Sequence, residues 1–186
     1  MKSDTECSNC TAGGGCGTSG GAAITCAIGF YCPAGTTTST PAEFQAPAGS
    51  YIDFTGAISE YDNKPCGLGN YCPTGSTAPI TCPIGTYSDI LRASTCTSCP
   101  AGYECLTTGM TAPTACLEGF YSIGGTGVCT RCPEGYYCHQ KATPQSVMIT
   151  QTCPSGTICS KSFSGTNYGL DVSPNLVDHP CPIGKY

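Results

Sequence analysis

Apolar residues in this chain come in ones and twos, around glycines and cysteines, as in Cys26-Ala-Ile-Gly-Phe-Tyr-Cys32 and Cys82-Pro-Ile-Gly-Thr-Tyr87. No segment holds a helical period over two turns, and residues 41–46 come nearest. The pattern predicts turns and short strands. Cys-Pro-x-Gly recurs at Cys82, Cys99, Cys132, Cys153 and Cys181, and suggests a type I turn with Pro second and Gly fourth. An aromatic follows at Tyr31, Tyr51, Tyr71, Tyr87, Tyr103, Tyr121, Tyr136 and Tyr186, placed to lay its ring on a neighbouring bridge. Short β pieces are expected at residues 86–88 and 120–122, and a hairpin within residues 51–58.

The punctuation is periodic. A unit Cys-x2-Cys-x2-Gly-Tyr-x-Cys, followed by a fourth cysteine 9 to 14 residues on, reads cleanly at Cys96, Cys99, Cys105, Cys116 and at Cys129, Cys132, Cys138, Cys153. Cys7, Cys10, Cys16 and Cys26 repeat the spacing with a Gly-rich filling, and Cys66, Cys99 and Cys132 follow one another at 33 residues. Such self-similarity means an array of small units rather than one globular core. Ala23, Ala46, Asn63 and Thr150 stand where the pattern asks for cysteine. The units divide at 1–31, 32–65, 66–95, 96–128, 129–152 and 153–186, the last incomplete.

Composition explains why cysteine carries the pattern. Ile, Leu, Val and Phe make up about 14% of the 186 residues, there is no Trp, and 18 residues are Cys. Ordering the backbone costs about 1–2 kcal/mol per residue, more than so little apolar surface offsets. Nine bridges at about 2–4 kcal/mol each close the gap. The expected fold class is therefore small, disulfide-rich and mostly irregular with short β hairpins, an elongated tandem array of cysteine-rich modules. Spacing alone leaves connectivity open. Interleaved first-to-third and second-to-fourth pairing is the expectation: Cys7–Cys16, Cys10–Cys26, Cys96–Cys105, Cys99–Cys116, Cys129–Cys138 and Cys132–Cys153. The irregular units then supply Cys66–Cys82, Cys32–Cys72 and Cys159–Cys181.

Cysteine content implies an oxidising compartment. The opening MKSDTECSNC has no apolar stretch, so the chain reads as part of a secreted protein whose export signal lies outside the numbering. Net charge is −5 with no basic run, which argues against a nucleic-acid partner, and no run is long and apolar enough to insert in a membrane.

Chemistry-bearing groups are sparse. Cys-x2-Cys suits zinc, but a further cysteine at a fixed gap favours bridges. His139 and His179 are the only imidazoles, and neither has an evident nucleophile. Asp53, Glu60, Asp62 and Asn63 form an acidic cluster, without the alternation of a calcium loop, and read as a solvated face. No catalytic, cofactor or metal residue is expected, and the protein is not expected to be an enzyme. Asn9 in Asn9-Cys10-Thr11 is a glycan acceptor, and Thr36, Thr37, Thr38, Ser39 and Thr40 before Pro41 read as an O-glycosylated loop.

Cys-x2-Cys-Pro-x-Gly-Tyr-Tyr-Cys at 129–138 and Cys-x2-Gly-x-Tyr-Ser-x7-Cys-x2-Cys at 82–99 resemble the ephrin-receptor-like cysteine-rich repeat family, and more distantly EGF-like and tumour necrosis factor receptor modules. The likeness covers residues 66–159 and implies an extracellular place in a large surface or matrix protein, and no chemistry. The expected role is structural: forming or decorating a surface filament, coat or matrix, with other copies or other extracellular proteins as partners and glycans attached. A ligand-binding or adhesive receptor ectodomain is the alternative.

Overall fold

A computed structural model describes residues 24–125, 127–133, 136, 138, 141–150 and 152, together with the paired backbone of 14 and 15. Among the described residues, regular structure is confined to strands of two or three residues, one turn of 3-10 helix and one turn of α-helix. In chain order these are β1 (Gly14–Gly15), β2 (Ile24–Thr25), β3 (Ser50–Tyr51), β4 (Lys64–Pro65), β5 (Asn70–Tyr71), β6 (Ile80–Thr81) and β7 (Thr86–Tyr87). Then come β8 (Thr97–Ser98), β9 (Tyr103–Glu104), β10 (Thr114–Ala115), β11 (Phe120–Ser122), β12 (Thr130–Arg131), β13 (Thr143–Pro144) and α1 (Gln145–Met148). Sequential strands pair antiparallel in hairpins from β1·β2 to β11·β12, and β13 adds to β11 in parallel.

The 33-residue period resolves into two modules, each a tight turn followed by a hairpin. Modules open at residues 26, 46, 66, 82, 99, 116 and 132, and in each the fourth residue is glycine. From residue 29 to 119 these glycines have φ between 72° and 86°. The turn closes one residue later than the type I register: Thr86 N–H donates to Pro83 O and Tyr103 N–H to Pro100 O. That puts glycine third, with the positive φ a type II turn requires.

Successive modules are joined by a backbone ladder that repeats without a slip. The glycine N–H of one module donates to the carbonyl of the seventh residue of the next: Gly29 to Ile52, Gly49 to Cys72, Gly69 to Ser88, Gly85 to Cys105, Gly102 to Ser122 and Gly119 to Cys138, at 2.7–3.1 Å. The glycine carbonyl accepts from the opening residue of that same next module, Ala46, Cys66, Cys82, Cys99, Cys116 or Cys132, at 2.8–3.0 Å. Polar backbone in a chain with little sheet is thereby satisfied, and each module leans on its neighbour. By contacts the chain forms two compact units: described residues up to Cys82 with Ser88–Cys96, and Pro83–Tyr87 with those from Thr97 onward.

Sulfur fills the interior. Ten described cysteines are buried, while the only large apolar side chains buried with them among the described residues are Ile52 and Met148. Among the described residues six bridges are present: Cys26–Cys32, Cys66–Cys72, Cys82–Cys96, Cys99–Cys105, Cys116–Cys129 and Cys132–Cys138. The interleaved pairing is corrected throughout the described chain. Cys10–Cys26, Cys32–Cys72, Cys66–Cys82, Cys96–Cys105, Cys99–Cys116, Cys129–Cys138 and Cys132–Cys153 all give way, because each cysteine named there within the structure has a nearer partner. Cys7–Cys16 and Cys159–Cys181 lie outside the described residues. Two kinds of bridge alternate. Modules opening at 26, 66, 99 and 132 brace their own turn with a bridge of sequence separation 6. Modules opening at 82 and 116 close their own hairpin, at separations 14 and 13.

This alternation accounts for two of the missing cysteines. Register places Ala46 and Asn63 where Cys82 and Cys96 stand: four residues before the first strand and two before the end of the second, in β3·β4 as in β7·β8. The same offsets hold for Cys116 and Cys129 on β11·β12. Ala46 and Asn63 are thus the two halves of one absent bridge. A small apolar cluster of Ala46, Ile52 and Ala57, with Tyr31 packed on it, occupies the module instead.

The strands foreseen at 86–88 and 120–122 are β7 and β11. The hairpin foreseen within 51–58 instead spans β3 to β4, with an intervening loop that buries Ile52 and Ala57. Residues 41–46 form no helix; Gln45 bridges Phe30, and Phe44 N–H closes a turn on Pro41 O.

Candidate functional site

The loop of residues 52–63 differs most from its counterparts. Where the hairpins of β7·β8 and β11·β12 have their disulfides, this one is held by polar contacts. A 3-10 helix, Glu60–Asp62, begins at Ser59, whose hydroxyl accepts from Tyr61 N–H at 3.3 Å. Asp62 Oδ2 accepts from Ile58 N–H at 2.7 Å and Ser59 N–H at 2.9 Å, completing a capping box. The Asn63 side-chain amide donates to Glu60 O and its oxygen accepts from Arg92 Nη1 at 2.9 Å. At the base of the loop Lys64 Nζ meets Asp53 Oδ2 at 2.8 Å. The hydrogen bond from Lys64 holds the Asp53 carboxyl below the ordinary carboxylate range, and reciprocally raises the Lys64 ammonium.

The acidic residues expected to form one cluster are therefore committed separately: Asp53 to a lysine, Asp62 to backbone N–H groups. Among the described residues no group of three or more His, Cys, Asp or Glu is arranged to hold a metal. The described Cys-x2-Cys pairs send their sulfurs to different bridges, which is incompatible with a shared thiolate site. His139, His179 and Asn9 lie outside the described residues.

Around the Thr-rich segment an open cleft of about 490 Å3 is lined by Thr37, Thr38, Thr40, Glu43 and Phe44, among others. Phe44 packs on Tyr31 with ring centroids 5.4 Å apart. Thr37, Thr38 and Thr40 are exposed and Ser39 is half-buried. Thr36 departs from the expectation of a glycan acceptor: it is buried, and its hydroxyl donates to Pro33 O at 2.7 Å. A hydroxyl locked on a turn carbonyl has no room for a sugar.

One residue that the repeat did not single out stands apart. The motif tyrosines Tyr31, Tyr51, Tyr71, Tyr87, Tyr103, Tyr121 and Tyr136 are all half-buried, and the last pair of these packs on the cluster containing the Cys132–Cys138 bridge. Tyr61, which lies off the motif between two carboxylates, is 85% exposed. Its absence from the repeat was the available signal. Phe54 and Ile58 on the same loop are also exposed. Among the described residues no helix is long and apolar enough to cross a membrane. No protein-family model matches the chain, and no curated protein matches its sequence.

Proposed function

We propose that this chain is an extracellular, non-enzymatic structural protein that forms or decorates a surface filament, coat or matrix through contacts between repeats. The observation that carries the reading is the backbone ladder, repeated six times in one register from Gly29 to Cys138. Such a chain is a scaffold built by nearest-neighbour contacts, and each module presents the same edge to the next. The bridges support maturation in an oxidising compartment. The residues from 37 to 40 remain acceptors for O-linked sugar, and the likeness to ephrin-receptor-like repeats fits a surface or matrix setting. Partners are then other copies of the chain or other extracellular proteins.

Light scattering coupled to size exclusion at low micromolar concentration tests this. Concentration-dependent association with all bridges intact supports it, and a strictly monomeric protein at every concentration opposes it. The loop carrying Phe54, Ile58 and Tyr61 favours a second reading, an adhesive or ligand-binding receptor ectodomain, because exposed aromatic and aliphatic side chains on one loop suit recognition. A monomer that captures a defined ligand through that loop would decide for it.

A further inference from the structure

We propose that Tyr61 is a site of tyrosine O-sulfation. The inference rests on the reading that the chain matures in the secretory pathway, where sulfuryl transfer to exported proteins takes place. Three observations converge on this residue. Tyr61 is the only exposed tyrosine among those described, with 85% of its surface accessible, whereas every described motif tyrosine is half-buried. Glu60 and Asp62 flank it directly, so the acceptor phenol sits in a locally anionic segment. A transferase whose peptide groove is basic recognises such a segment by charge.

The third observation concerns access. An enzyme that modifies a tyrosine within a folded protein needs the surrounding backbone to extend into its groove. In the two equivalent hairpins a disulfide shuts the loop, at Cys82–Cys96 and Cys116–Cys129. In the hairpin carrying Tyr61 the corresponding positions are Ala46 and Asn63, and the loop is held by the Asp62 capping contacts, by Asn63 to Arg92 and by the Lys64–Asp53 pair. These contacts can open and re-form, and a covalent bridge cannot do so without a redox partner. The most accessible of the described tyrosines thus lies on a hairpin loop that no disulfide closes.

The step balances with 3′-phosphoadenosine-5′-phosphosulfate as donor. The phenol oxygen attacks sulfur, the bond from sulfur to the donor phosphate oxygen breaks, and adenosine 3′,5′-bisphosphate leaves with that electron pair. The phenolic proton passes to a base of the transferase. The product carries a fixed negative charge with three exposed oxygens beside Glu60 and Asp62, a feature that a partner rich in arginine would recognise.

The test uses the full chain with its bridges formed, incubated with the donor and a tyrosylprotein sulfotransferase, alongside protein secreted from a host that has this enzyme. Exact mass distinguishes sulfate from phosphate on the peptide containing Tyr61. One sulfuryl group on Tyr61, absent from Tyr61→Phe and acquired more slowly by Glu60→Gln, is the expected result. No incorporation, incorporation spread over Tyr51 and Tyr71, or phosphate in place of sulfate overturns the proposal. If secreted, fully bridged protein carries no sulfate, only this proposal fails; if the protein matures with its thiols reduced, the extracellular reading fails instead.

Discussion

Restoring the absent bridge is the sharpest use of the alternation of disulfides. The double variant Ala46→Cys/Asn63→Cys places cysteines at the offsets that hold Cys82–Cys96 and Cys116–Cys129 on their hairpins. The new loop has a sequence separation of 17, for which chain-entropy arguments give about 3 kcal/mol. Against this, a sulfur atom must be fitted beside Ala46, which is fully buried with Ile52 and Ala57, at a cost of about 1 kcal/mol. Loss of the exposed hydrogen bond from Arg92 to Asn63 costs about 0.5 kcal/mol more. The expected gain is about 1–2 kcal/mol, or about 3–6 °C in Tm for a chain of this size. Calorimetry of the oxidised double variant, beside each single variant with its thiol blocked, measures it. Peptide mapping checks that residues 46 and 63 are joined and the native bridges unchanged. If both new thiols stay free in the folded protein, the equivalence of these positions with Cys82 and Cys96 is refuted.

Removing Cys82 and Cys96 together, each to Ala, is expected to cost about 3 kcal/mol in denaturant titration. Either single change should be worse for yield of correctly bridged protein, because the orphaned thiol can attack a neighbouring bridge. Gly85→Ala is expected to destabilise by about 2–4 kcal/mol, since φ there is 85° and a Cβ would lie 2.6 Å from Gly125 O. Gly35→Ala, at φ 90° with nothing within 4 Å, should cost only about 1 kcal/mol, and equal losses at the two sites would contradict the close approach. Because the Asp53 carboxyl is held below its ordinary range, its contribution is present above the unfolded carboxylate value and fades as pH falls through the lowered one. An NMR titration of Asp53 should move upward in Lys64→Met, and an unmoved curve would show that Lys64 is not the cause.

Much of the architecture is legible in the sequence because it depends on short-range chemistry. Glycine four residues into each module and the aromatic beside it mark the turns, and the strands at β7 and β11 follow them. Pairing was less legible, because steric and parity arguments admit both interleaved and local schemes for the same cysteines. A usable signal was present in the losses. Ala46 and Asn63 both stand where the repeat asks for cysteine, and their joint absence makes sense only if the two positions are partners. The seventh residue of each module carries the same message: it is Cys32, Cys72, Cys105 or Cys138 where the turn is braced, Ser88 or Ser122 where the hairpin takes the bridge, and Ile52 in the module that has neither. The one-turn helix α1 has no sequence period to reveal it, and the capping box at Ser59 and Asp62 is too brief to announce itself beside the cysteines.

Bridges local to each turn and hairpin, together with a backbone ladder, take the place of an aliphatic interior in this protein. A peptide map of the folded chain under non-reducing conditions, with thiols blocked beforehand, tests that most directly. The account predicts the six local pairs, Cys82–Cys96 and Cys116–Cys129 among them, with none of those twelve thiols labelled. Interleaved pairs such as Cys96–Cys105 with Cys99–Cys116, or labelled thiols in a chain that keeps its fold, would contradict it.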